Sequence, residues 1–285
     1  MKKLINIFTS IALLCALALT LTVTTFAATP AVADGARTSV RAEEFQSSFF
    51  PEKLPANPLT GGAFLSVLLY AANNDLTEVV IPYTIPYQNG MKEQITEALK
   101  TALNDSYRFP EYCNYLRKIS YSTVVNEGGF SIVLNLAAHD GNTAEMIERR
   151  HQANAKAVEI YSGLCRSGAI TDGMSQKEIA EVLVKWVVDN TTYVDDGTRI
   201  GHTAYGVFFN KIGVCDGYTS ALNLLLRQAG INCQGRKGRV GGVCHEWTIA
   251  VLDGDVVNID ATTCESNFDR YFAISDNAIA KTHIW

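Results

Sequence analysis

Residues 212–260 constrain the fold of this 285-residue chain more than any other stretch. An apolar run opens at Cys215, with Tyr218, Ala221, Leu222, Leu225 and Ala229 on one face at helical spacing, and Gly230 closes it. Three extended runs follow at 232–240, 245–252 and 256–260, separated by Gly241-Gly242 and Asp253-Gly254. A helix followed directly by hairpin-linked strands buries its apolar face on an antiparallel sheet, which makes the fold class α+β. Cys215 then heads the helix, His245 opens the second strand and Asp260 closes the third. Adjacent antiparallel strands bring His245 and Asp260 side by side at one end of the sheet. The packed helix presents Cys215 to that end.

That placement has a chemical reading. At a helix start, unpaired backbone N–H groups and the positive end of the dipole favour a thiolate, and the same N–H groups can hold an oxyanion. A cysteine nucleophile also needs a base, and the base needs a third group to orient it. The order Cys215, His245, Asp260 supplies all three. The boxes around them are Gly213-Val214-Cys215-Asp216-Gly217-Tyr218, His245-Glu246-Trp247-Thr248 and Asn258-Ile259-Asp260-Ala261-Thr262. Together they resemble the three signature boxes of the transglutaminase-like superfamily. The resemblance covers about residues 175–265. It implies a papain-like core and cysteine-dependent acyl transfer by a Cys215–His245–Asp260 triad. His202-Thr203-Ala204-Tyr205-Gly206 resembles the family's lead-in, and Tyr205 and Asp216 are secondary candidates for contact with the oxyanion or substrate. The sequence departs from the family pattern at Thr219, at Glu246 (where Ala is usual) and at Ala261 (where Pro often precedes the last Thr). None of these removes a catalytic atom, and strand alternation turns Glu246 away from His245.

Each of these residues also has a plainer reading. Cys215 alone would read as a buried thiol or a disulfide half, His245 as a satisfied turn histidine, and Asp260 as a turn cap. Cys244 is a rival nucleophile, but as a strand neighbour of His245 it points to the opposite face. Cys233 and Cys244 lie on strands that can pair, so a disulfide between them is one expectation. Cys113, Cys165 and Cys264 read as buried thiols or disulfide halves without assignable partners. Asp195-Asp196-Gly197 lacks EF-hand spacing and reads as a solvated turn. Trp186 reads as core. His139, His151 and His283 read as surface or packing residues with no partner at metal-ligand spacing, and Trp285 has no evident role.

The rest of the chain supplies context. Lys2 and Lys3 precede an uncharged apolar run, and small residues at Ala27 and Ala31-Val32-Ala33 read as signal-peptide cleavage sites. An uncleaved anchor is the alternative reading. Residues 1–33 are therefore expected to be an export signal and 34–60 a linker containing Pro51, Pro55 and Pro58. Residues 61–142 are expected to form a small α+β domain, and 143–285 the transglutaminase-like domain. Within the former, 78–84 reads as a strand interrupted by Pro82 and 91–103 as a helix. Residues 119–125 and 130–136 read as a hairpin through Asn126-Glu127-Gly128-Gly129. Within the latter, 143–165 reads as a long helix. Ser175 and Glu178 form a capping-box spacing for a helix that Asn190 ends.

The chain is 47% apolar and 19% charged, with a net charge of −5, which fits a globular protein and gives no basic patch for nucleic acid. Loss of the signal would leave six of the seven cysteines. No C-x-x-C pair suggests a metal, and no cofactor is expected. The expected protein is bacterial and secreted or otherwise extracytoplasmic, without stable membrane insertion once the signal is cleaved. Its substrate would be a protein or cell-wall peptide amide. A non-enzymatic cell-surface scaffold and a metal-binding domain are the competing readings.

Overall fold

The computed structural model describes residues 50–139 and 142–285. The expected export signal and most of the 34–60 linker lie outside the described residues. Among those described, no helix is long and apolar enough to cross a membrane.

The first half builds on a three-stranded antiparallel sheet of β1 (Glu78–Tyr83), β2 (Lys118–Asn126) and β3 (Gly129–Ala137), in the order β1-β3-β2. β2 and β3 form the hairpin that the sequence signals, with Asn126 opposite Gly129. Strict alternation points Val79, Ile81 and Tyr83 inward from β1. Pro82 is tolerated because β1 is an edge strand. Helices α1 (Gly61–Asn73) and α2 (Met91–Asp105) pack together, and with the inner face of the sheet they form one apolar cluster. Short α3 (Pro110–Cys113) follows.

The second half centres on α6 (Cys215–Gln228), in which every residue from Gly217 to Leu226 is buried. It is wrapped by α4 (Thr143–Arg166), α5 (Gln176–Asp189) and a four-stranded antiparallel sheet. The strands are β6 (Cys233–Val240), β7 (Val243–Leu252), β8 (Asp255–Ile259) and β9 (His283–Ile284), in the order β8-β7-β6-β9. The capping box on α5 is complete, with Ser175 and Glu178 bonded reciprocally. β4 (Thr192–Tyr193) and β5 (Ile212–Gly213) form a short parallel pair that fixes the approach to α6. After β8, Asp260 caps the short α7 (Ala261–Cys264). α8 (Phe268–Tyr271) and α9 (Asp276–Ile279) then lead back to β9.

Side chains near α3 join the two halves. Glu111 is fully buried, accepts from Arg227 Nε at 2.8 Å and from Asn223 Nδ2 at 3.2 Å, and so reaches α6. Arg108 Nε donates to Gln234 Oε1 on β6 at 2.8 Å, and Asn114 Nδ2 donates to the His202 carbonyl at 2.8 Å. A charge as deeply buried as Glu111 is tolerable only when paired and hydrogen-bonded in this way.

The expected Cys233–Cys244 disulfide is not formed. β6 and β7 do pair, but the register sets Cys233 opposite Ala250 and Cys244 opposite Arg239. That offset of six residues separates the two cysteines by roughly 20 Å along the ladder, far beyond disulfide reach. Among the described residues, all six cysteines are unbonded thiols.

Candidate active site

Cys215 is the first residue of α6, and Val214 before it is extended. The turn is tight because Gly217 packs directly on the Gly201 backbone. A Cβ at Gly217 would collide with the Gly201 carbonyl. The Val214 N–H donates to that same carbonyl at 2.9 Å. The backbone N–H groups of Asp216 and Glu246 both bond the Cys215 sulfur and pull its pKa down. The sulfur therefore lies against β7 one residue from His245. Burial, followed by the charges of Asp216 and Glu246, outweighs those two N–H groups and pushes the thiol well above its ordinary value. The helix start does not by itself produce a resting thiolate, contrary to the expectation from position.

His245 lies on β7 opposite Gly238 of β6, with its side chain on the same face as Trp247 and the rings 6.1 Å apart. Asp260 is one residue past the end of β8, fully buried, and its Oδ2 accepts from His245 Nε2 at 3.0 Å. Asp260 also caps α7 through Oδ1, which accepts from Thr263 N at 3.3 Å. The turn-cap and histidine-partner readings of this residue thus hold together. Burial pushes the carboxyl up. Hydrogen bonds from His245 and His283, the His245 charge and the Thr263 bond overcome it and hold Asp260 well below the ordinary carboxylate range.

His283 corrects the sequence reading. It is neither a surface residue nor simple packing: it is 1% exposed, and its Nε2 lies 3.1 Å from Asp260 Oδ2. The ligand atoms of His245, Asp260 and His283 all lie within 4.8 Å of one another, a set that could hold a cation. Hydrogen bonding satisfies each of those atoms as they stand. Trp285 also gains a place, packed edge-on against Trp247 at 5.9 Å and beneath Arg236 at 4.8 Å.

The two secondary candidates fare differently. The Asp216 carboxylate turns away into a network, 2.8 Å from His202 Nδ1 and 3.3 Å from Asn114 Nδ2, while its backbone N–H serves the sulfur. The Tyr205 ring stacks on Phe209 at 4.6 Å beneath Arg149, in a packing position. Tyr193, which the sequence reading did not name, lies near the site. Burial, then the charges of Cys215, Asp195, Asp216 and Asp260, raise its hydroxyl pKa. β4 sets it opposite Gly213, and nothing in its local sequence announces that place. Glu246 does face away from His245, but into the interior. Burial first, then the Asp216 charge, lifts its pKa far above the ordinary value, and Oε1 has no hydrogen-bond partner. Asp195-Asp196-Gly197 is the expected exposed turn, closed by Asp195 and Asp196 side chains onto the backbone of Gly197 and Thr198. Trp186 packs against the main core.

Fold and site together define a helix-on-sheet cysteine domain. Residues 166–261 match the family model described as the transglutaminase-like superfamily. That segment, about a third of the chain, is similar to transglutaminase-like domains. A comparison with curated proteins found no match. Among solved structures, one described as a TGase aligns at 14% identity and TM-score 0.36, covering 67% of this chain and 52% of the other. Another, described as a candidate cysteine protease from Cytophaga hutchinsonii, aligns at 15% identity and TM-score 0.34, covering 51% and 57%. The chain thus spans little more than half the length of either.

Proposed function

We propose that this protein is an extracytoplasmic cysteine enzyme that transfers the acyl group of protein or cell-wall peptide amides. The observation that carries the reading is the buried Asp260–His245 pair one residue from the N–H that contacts the Cys215 sulfur. With Nε2–H donated to Asp260, the neutral His245 keeps its basic lone pair on Nδ1. Because burial favours the neutral thiol, His245 takes the Cys215 proton as the sulfur attacks the amide carbonyl. A carbon–sulfur bond forms, and N–H groups at the start of α6 stabilise the oxyanion. The C–N bond then breaks, and the imidazolium returns its proton to the leaving amine. Water attacks the thioester to give an acid and restore the thiol, or an amine attacks to give a new amide.

The test is incubation with casein and cell-wall peptides, with and without a primary amine, followed by mass spectrometry. Wild type should convert substrate and Cys215→Ala should not. Equal conversion by both would reject the mechanism, and incorporation of the amine would separate transamidation from hydrolysis.

One observation favours a non-catalytic scaffold: burial that raises the Cys215 pKa suits an inert thiol. Labelling with iodoacetamide near pH 7 separates the readings. A catalytic Cys215 should react at least about tenfold faster in wild type than in His245→Gln, the low end of what a lost general base costs. A scaffold would show no difference.

A further inference from the structure

Triad chemistry requires one hydrogen bond at Asp260, yet Oδ2 receives three among the described residues. The donors are His245 Nε2 at 3.0 Å, His283 Nε2 at 3.1 Å and Thr263 Oγ1 at 2.5 Å. A carboxylate only accepts, so both imidazoles must carry a proton on Nε2. His283 is itself held from behind, its Nδ1 2.9 Å from Thr282 Oγ1. Its ring packs edge-on against Trp247 at 4.8 Å. Its backbone is fixed by the pairing of Val240 with His283, and Gly238 permits this because a Cβ there would strike the Ile284 carbonyl.

We propose that His283 is a positioning residue that clamps the Asp260 carboxylate as a second imidazole donor to Oδ2, beside His245. In doing so it sets both the direction and the strength of the acceptor that His245 sees. This inference rests on the Cys215–His245 reading. The clamp acts in two ways. It stops the carboxylate from rotating away from His245. It also draws charge from Oδ2, which moderates how tightly Asp260 holds a proton on the His245 ring. Without the second donor, Asp260 stabilises imidazolium more strongly, and His245 becomes available as a base only at higher pH.

The experiment is the pH dependence of Cys215 alkylation by iodoacetamide, followed on the Cys215 peptide by mass spectrometry. In this reaction the sulfur–carbon bond forms, iodide leaves and the thiol proton passes to His245. In His283→Phe, which keeps a ring and removes the donor, the rate should fall about tenfold at pH 6.5 and the midpoint should rise by roughly 1 unit. His283→Gln places an amide N–H near the lost Nε2 and should return within about threefold of wild type. Thr282→Val removes the backing contact, along with the hydroxyl's bond to the Ile279 carbonyl, and should shift the midpoint in the same direction by less. Should the Phe variant fail to fold, the Gln and Val variants carry the test: a normal profile in Gln with a raised midpoint in Val supports the clamp. Wild-type profiles in every folded variant would overturn it, as would a Gln variant no better than Phe. If wild type and His245→Gln alkylate alike, the triad reading fails as well. If they differ and the His283 and Thr282 variants do not, only the clamp is lost.

Discussion

The two antiparallel sheets are built on opposite principles. Inward positions of the β1-β3-β2 sheet are almost wholly apolar: Val79, Ile81, Ile119, Tyr121, Phe130, Ile132, Leu134 and Leu136, with Thr123 the polar exception. The β8-β7-β6-β9 sheet and its margins bury Gln234, Arg236, Glu246, Thr248, Asn258, Asp260 and His283. The first sheet is held by removing apolar area from water, a non-directional force indifferent to detail. The second must satisfy most of its polar atoms one by one, Glu246 Oε1 and Arg236 Nη2 being left without a partner. Asn258 shows how: its Oδ1 accepts from both Arg236 and Trp247, and its Nδ2 donates to Asp276, which also pairs with Arg236. A sheet that retains so much buried polarity gives up stability for fixed directions, and two of its buried polar groups, Asp260 and His283, meet at His245.

The largest effect that would sharpen this contrast is expected from Asp260→Asn. Turnover should fall by about 10⁴, the scale seen when a triad acid becomes an amide. The same variant has a pH signature. Because the folded-state pKa of Asp260 is depressed, the carboxylate contributes stability above its unfolded value near ~3.9, and that contribution is lost as pH falls through the folded pKa. Denaturant titrations between pH 6 and 2 should show a flatter acid limb in Asp260→Asn. Next in size, Ile132→Ala in the apolar sheet should cost about 2–5 kcal/mol of stability. Cys215 alkylation per folded molecule should stay unchanged. A matching loss of reactivity would show that the two sheets are not separable in this way.

Glu246→Gln tests the interior cost of the second sheet. The folded-state pKa is raised, so stability is fully present below the unfolded value near ~4.3 and is lost as pH rises toward the folded one. The variant should therefore gain stability at pH 8 relative to pH 5, by about 1 kcal/mol or roughly 2–4 °C in Tm. Smallest of all, Val124→Thr on the exposed face of β2 should change stability by less than about 0.5 kcal/mol. Calorimetry reads both.

Most of this contrast could be read locally, and its key members could not. The helix headed by Cys215 and the three following strands are legible because their periodicity is local. The same holds for the hairpin at Asn126 and the capping box at Ser175. His245 and Asp260 are legible because they sit at the ends of neighbouring strands. His283 is not, because the chain runs through three short helices before β9 returns it to Asp260, and a lone histidine two residues from a tryptophan carries no spacing signal. Asn114 and Glu111 are invisible for the same reason, their partners lying on α6 and in the segment before it. The disulfide expectation failed on register: alternation shows that β6 and β7 pair but not where along the ladder. The resting state of Cys215 failed on burial, which helix position cannot reveal.

The contacts around α3 bear on how the protein can be cut. A fragment starting near residue 143 would keep the sulfur, imidazole and carboxylate yet lack the Glu111 carboxylate facing Arg227. It would also lose Asn114, which steadies the Asp216 carboxylate, and Tyr107, whose carbonyl packs beside Gly235 near Glu246. Water would then reach groups whose titration depends on its exclusion. The portable unit for grafting, fusion or crystallisation is therefore residues 143–285, which carry α4 and His283, together with residues 106–117, even though that short stretch lies outside the second half in sequence.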